Sequence, residues 1–427
     1  MRLTFARSAL RPGALPLIAT MIATALGGCG SDSDGPAPPD GSVPQHDFLT
    51  EQRLGDLAAE LSSDAMEGRD EGSPGHEAAR ATIIARLQAC GVQPAPNGGF
   101  EQPITTGTGV NVLGLVPGGQ AGLAQRFVLL GAHYDHLGAN GTTIYPGAGD
   151  NAAAVSILVG VACELVRAPT ARSVLVASWD SEEPPTFMTD AMGSEFFAAN
   201  PLVALDAIDV AIALDLVGLD MWPGFAGHVV CGAELSPGLT AVLDAASPPE
   251  GLLARRAGLH LVEQLVTGEV MRWSDYAAFL ERARPVLFFS DGTNKNYHRP
   301  TDTFATLDVP KMQREALYLL DVVTRLGAMD ALPSFDASGA DHATDASTTS
   351  EFLELALAPG GLVESLGLSA TSRTDLEADL AAAQAAKATL DAGGALSSTQ
   401  VVDLRRGVQR IMCLAGTMYT QPACHLM

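Results

Sequence analysis

Hydrophobic positions fall into two patterns that alternate from residue 48 to about residue 326. Runs at 110–116, 127–132, 173–179, 210–217, 228–231 and 285–290 are rich in Val, Ile, Leu and Phe with little polar alternation. They predict strands covered on both faces. Stretches at 50–62, 75–90, 152–167, 193–199, 236–246, 275–284 and 310–327 carry helical spacing. Strands and helices interleaved in this way predict an α/β domain, here spanning 46–330.

The flanking segments differ. Arg2, Arg7 and Arg11 precede an apolar run over 14–26 that is too short for a spanning helix, and Leu26-Gly27-Gly28-Cys29 closes it. Residues 1–28 read as a signal peptide. Leu-Gly-Gly-Cys resembles the bacterial lipobox, which implies cleavage before Cys29 and a lipid on its sulfur. That places the protein, exported and membrane-anchored, at the outer membrane or cell surface of a bacterium. The alternative is an ordinary secretory signal with an incidental Cys29. Residues 29–45 are polar and proline-rich, a tether.

Residues 331–350 read as a second linker and 351–427 as a small helical appendage. In it a capping box at Thr374-Asp375-Leu376-Glu377 starts one helix and Gly393-Gly394 ends it. The last helix carries Val401, Leu404, Val408, Ile411 and Met412 near one face. Nothing after residue 335 has catalytic spacing.

The chain of 427 residues has 25 Lys+Arg against 49 Asp+Glu, a net charge of −24. This argues against a nucleic-acid partner and leaves divalent cations as ligands for clustered carboxylates. Five cysteines follow Cys29. Cys413 and Cys424 are the candidate bridge, while Cys163, inside an apolar run, reads as a small buried hydrophobe.

The chemistry gathers at strand ends. His133-Tyr134-Asp135-His136 follows the run at 127–132, Asp180-Ser181-Glu182-Glu183 follows 173–179, and Asp215 closes the core of the run at 210–217. Asp150 opens the next helix, and Asn296-Tyr297-His298 follows 285–290. Open α/β sheets bind ligands at the carboxyl ends of their strands. Two imidazoles and several carboxylates without a thiolate suit zinc, and a spare Glu beside a ligand Glu supplies a general base. His136 reads as a polar rim or supporting residue. The remaining histidines read as structural or exposed, since His76-Glu77-Ala78-Ala79-Arg80 lacks the second ligand of HExxH.

These residues, with Asp64-Ala65-Met66-Glu67-Gly68-Arg69, Asn111-Val112-Leu113-Gly114 and Tyr297-His298-Arg299-Pro300-Thr301-Asp302, resemble the di-zinc M28 (aminopeptidase Y-like) metallopeptidases over residues 50 to 330. The resemblance implies a zinc-exopeptidase-like fold, with a mixed, largely parallel central sheet flanked by helices. It implies two Zn²⁺ per chain, bridged by Asp150, with Glu183 and His298 on one and His133 and Asp215 on the other. It makes Glu182 the general acid/base and Asp135 the residue that orients His133, and it implies peptide substrates cleaved at the N-terminal residue.

Two departures from the family pattern bear on specificity. A loop from Pro184 to Met192 carrying Phe187 replaces a shorter turn after the Glu pair, and Met271-Arg272-Trp273 stands where some relatives have a Tyr. Arg272, Tyr276 and Tyr297 are candidates to stabilise the oxyanion. The alternatives are glutaminyl-cyclase-like acyl transfer on the same fold, carboxypeptidase action, or a noncatalytic lipid-anchored binding protein.

Overall fold

The computed structural model describes residues 46–96, 98–331, 334–416 and 421–425, so the signal segment, Cys29 and the tether lie outside the described residues. A nine-stranded sheet forms the centre. Its strands are β1 Gln93–Pro94, β2 Glu101–Pro103, β3 Val110–Val116, β4 Phe127–His133, β5 Ser173–Trp179, β6 Ile208–Leu214, β7 Gly227–Cys231, β8 Leu253–Ala257 and β9 Val286–Ser290. They lie in the order β1-β3-β5-β4-β6-β9-β7-β8, with β2 also on β3. The central strands β5, β4, β6 and β9 run parallel, and β3 and β7 pair antiparallel on either side.

Every residue of β4, β5 and β6 is buried, as the unbroken apolar runs require. Alternate side chains feed two layers. Val128, Leu130, Val174 and Val176 join a core with α1 (Glu51–Leu61), α2 (Pro74–Ala89), α3 (Ala153–Arg167) and α4 (Val309–Ala328). Leu129, Leu175, Ala211 and Trp179 point to the opposite face. The stretch Ala148–Arg167 is apolar and long enough to cross a bilayer, but 94% of that window is buried inside the protein, so it is a core helix. Local signals begin the helices: Ser73 caps α2 ahead of Pro74, and Asp308 caps α4.

The helical C-terminal region is present as expected, and it is built into the second layer of the core. Leu353 of α5 (His342–Leu357), Leu376 of α6 (Ala370–Asp391) and Leu404 and Ile411 of α7 (Ser398–Ala415) share one core with the sheet. Residues 342–350, expected as linker, are the first turns of α5. Their buried Asp345, Thr348 and Thr349 look polar in sequence but pack or bond inward. Helix α6 starts at a Ser369 cap rather than at Thr374.

Strand β8 escaped the sequence reading because Arg255 and Arg256 interrupt its apolar pattern. At the sheet edge they pair with Glu351, Asp244 and Asp341. Strand β6 begins at Ile208, earlier than its apolar run suggests, and ends before Asp215. Among the described residues two disulfides form, Cys413–Cys424 as expected and Cys90–Cys163 against expectation. Cys163 is buried as predicted, but α3 brings it beside the end of α2, a tertiary contact without a sequence signature. Cys231 is free and buried.

Candidate metal centre

Parallel strands deliver their carboxyl ends to one rim. His133 ends β4, Asp180 to Glu183 follow β5, Asp215 follows β6 and His298 lies on the loop after β9. Asp150 comes from the irregular turn Ala148–Ala152 that enters α3. Ser181, Leu216 and His298 hold φ of 57, 56 and 54°, a left-handed conformation that residues with a Cβ adopt at a cost and that clusters at functional sites.

The rim converges on Asp150. His133 Nε2 lies 3.3 Å from Asp150 Oδ1 and 3.4 Å from Asp215 Oδ1. On the other side His298 Nε2 lies 3.1 Å from Asp150 Oδ2 and 3.2 Å from Glu183 Oε2. Donors about 2.0–2.2 Å from one tetrahedral ion stand roughly 3.3–3.6 Å apart, close to this spacing. His133 Nε2, Asp150 Oδ2 and Asp215 Oδ1 are buried and make no hydrogen bond within the chain. Buried polar atoms are normally paired, so donors left open toward a common point fit a metal. Nitrogen and carboxylate donors without sulfur suit zinc.

His136, read as a polar rim or supporting residue, is 2% exposed, with Nδ1 2.7 Å from Glu183 Oε1 and 3.8 Å from Asp150 Oδ2, which is the supporting position. It brings a further nitrogen to the Glu183 side. Its position three residues beyond the His that ends β4 was the available signal, but a single His carries no periodicity to separate the two readings.

Electrostatics separate the carboxylates. Burial raises the Glu182 carboxyl well above its usual range against the pull of His133, and Asp215, Asp275 and Glu183 add to the rise. Burial also works to raise Asp150, but His136, His133 and His298 outweigh it and hold it well below the usual range. Asp275, a buried acid that sequence reasoning did not single out, is pushed up to about 7 by burial, with Asp215 and Asp135 adding to the rise. Glu182 Oε2 lies 3.9 Å from His133 Nε2, beside the donor cluster.

Neighbours hold these groups in place. Asp302 accepts from the amides of Gly149 at 3.0 Å and Asp150 at 3.1 Å, fixing the turn that presents Asp150. The fully buried Arg69 donates to the carbonyls of Leu61, Tyr134, Pro146 and Gly147, tying the His133 and Asp150 loops together. Asp135 accepts from Glu183 N at 3.0 Å through its carboxylate, and its backbone carbonyl lies 3.3 Å from His133 Nδ1, so the residue touches both sides of the cluster. His76 is structural: it bonds Asp180 at 2.8 Å and stacks on Tyr134.

A cavity of about 530 Å³ opens from Asp150, Glu182, Glu183, Asp215 and His298. Phe187, Arg272 and Tyr297 line it. Tyr276 does not, because it is fully buried with its hydroxyl accepting from Trp273 N.

Residues 111–323 match peptidase family M28. The chain is 28% identical over 204 residues to the uncharacterized protein YfbL of Escherichia coli, a match spanning 43% of this chain and 62% of that protein. The fold is similar to a Zn-dependent exopeptidase from Parabacteroides distasonis, with TM-score 0.50 and 18% identity over 65% of this chain and 98% of that one. It is also similar to a leucine aminopeptidase precursor from Bacteroides thetaiotaomicron, with TM-score 0.51 and 17% identity over 66% and 98%. A glutaminyl cyclase from Porphyromonas gingivalis gives TM-score 0.51 and 18% identity over 66% and 99%. The segment that builds the metal centre, residues 111–323, belongs to peptidase family M28.

Proposed function

We propose that the protein is a zinc aminopeptidase holding two zinc ions, one among His133, Asp150 and Asp215 and the other among Asp150, Glu183 and His298. The observation that carries this reading is the Asp150 carboxylate, whose two oxygens face two separate imidazole–carboxylate pairs. Zinc in such a site polarises a carbonyl and lowers the pKa of water.

Glu182 takes a proton from the attacking water as the water oxygen bonds to the scissile carbonyl carbon. It then returns that proton to the amine nitrogen as the C–N bond breaks. The surplus of buried carboxylates offers a negative pocket to the ammonium of a peptide's first residue, a group that a chain interior lacks. A purely structural zinc site would be closed and would need no such base, which counts against a noncatalytic role.

The test is hydrolysis of leucyl amide against N-acetyl-leucyl amide by the zinc-loaded protein. Cleavage of the free amine alone supports the reading, and equal cleavage of both overturns it. Pyroglutamate formation from glutaminyl peptides without hydrolysis would favour cyclase chemistry instead. We further propose that Cys29 carries a lipid that anchors the exported protein, on the strength of the Leu26-Gly27-Gly28-Cys29 pattern. A processed Cys29→Ser protein should leave the membrane fraction, and its retention there would contradict the anchor.

A further inference from the structure

The cavity that starts at the metal centre ends on helices outside the family match. Thr348 and Phe352 of α5 and Val408, Ile411 and Met412 of α7 line it together with Phe187 and Trp273. Val408 and Met412 stand one turn apart and are half-buried, with Ile411 buried beside them. The apolar face of the last helix thus has a second use: one part packs on the sheet and the other borders the cavity.

This wall is fixed. Gln409 Nε2 donates to Leu261 O at 3.1 Å and to Gln264 O at 2.9 Å, and Thr348 Oγ1 donates to Arg256 O at 2.8 Å. Phe352 meets Phe225 edge-on, with ring centroids 5.3 Å apart. The Cys413–Cys424 bridge ties the end of α7 to the segment after it. Just past α7, a Cβ on Gly416 would stand 2.6 Å from Thr293 Oγ1, so the helix end abuts the loop that leads to His298.

The chemistry of the wall limits what can enter. A volume of about 530 Å³ is in the range of small-molecule sites, and the side chains that α5 and α7 contribute are apolar apart from Thr348, whose hydroxyl is spent on Arg256 O. A charged side chain set against them would lose its water without gaining a partner from either helix.

We propose that α5 and α7 form the specificity wall of the enzyme, selecting peptides whose first residue is large and apolar, such as Leu, Met or Phe. The inference rests on the aminopeptidase reading for the identity of the group that enters. The wall itself rests on the position of the two helices.

The experiment compares kcat/KM for phenylalanyl, leucyl and alanyl amides in the zinc-loaded wild type, Met412→Trp and Met412→Ala, with thermal midpoints as a control for folding. Wild type should favour the phenylalanyl and leucyl amides over alanyl by about 10–200-fold, the range a hydrophobic pocket delivers. Filling the wall with Met412→Trp should cut that preference at least about tenfold while alanyl amide changes less than about twofold. Met412→Ala should shift preference from leucyl toward phenylalanyl. Ratios unchanged in both variants would overturn the proposal, whatever the overall activity. A Met412→Trp protein that does not fold leaves the decision to Met412→Ala.

Calorimetric titration with phenylalaninol and alaninol separates the two claims. If wild type hydrolyses no amide, the aminopeptidase reading fails, and the wall stands or falls on whether Met412→Trp removes the preference for phenylalaninol.

Discussion

His136 Nδ1 lies 2.7 Å from Glu183 Oε1, yet neither atom makes a hydrogen bond within the chain. At 2.7 Å the two are closer than the roughly 3.3–3.6 Å that separates two donors on one tetrahedral zinc, so His136 stands beside the Glu183 carboxylate as a supporting group of the cluster.

The His136→Gln protein is therefore expected to hold zinc on the Glu183–His298 side about 10–100-fold more weakly, the usual cost of disturbing the support of a metal site. Competition with a calibrated chelator measures this directly. Unchanged affinity would reduce His136 to a packed side chain.

Asp302 acts one step further out. Its carboxylate receives the amides of Gly149 and Asp150, so Asp302→Ala leaves two buried donors unpaired and frees the turn that presents Asp150. Zinc affinity should fall on both sides of the centre by about 10–100-fold, with stability reduced by ~1–3 kcal/mol. Metal content after dialysis and urea unfolding of the zinc-free protein check the two effects separately.

How much of this was legible in the sequence depends on range. Runs such as 110–116 and 173–179 announced their strands correctly because apolar strands covered on both faces leave an unbroken signature. The convergence of His133, Glu182, Glu183 and Asp215 was legible because parallel strands force their ends onto one rim, whereas Asp150 and His298 joined them through the family resemblance. Thr348, Phe352 and Met412 were not, since their use depends on how α5 and α7 dock, and a cavity-facing Met looks like any core Met. Cys163 was misread for the same reason: its partner lies 73 residues away in sequence and meets it only after α2 packs on α3.

Removing the metal should make stability depend on pH in a stated direction. Burial works to lower the His298 imidazole, but Asp150 and Glu183 outweigh it and lift it from 6.5 to about 10. A group raised in this way contributes stability that is fully present below about 6.5 and is lost as pH rises through about 10. Zinc held by the same donors would compete with their protons, so its own contribution should grow with pH. The thermal midpoint of the EDTA-treated protein is expected to fall between pH 7 and pH 10, while the gap to the zinc-loaded protein widens. A gap that stays constant across that interval would show that the cluster does not hold these protons in the metal-free state.

The measurement closest to the central claim is zinc content and turnover of leucyl amide, determined together, in wild type and Glu182→Gln. Glu182 is the one carboxylate of the cluster assigned to the proton rather than to the metal. The substitution should leave zinc bound at the wild-type level and lower kcat by ~10²–10⁴-fold, the usual effect of removing a general base. Near-native turnover in Glu182→Gln at full zinc occupancy would contradict the account.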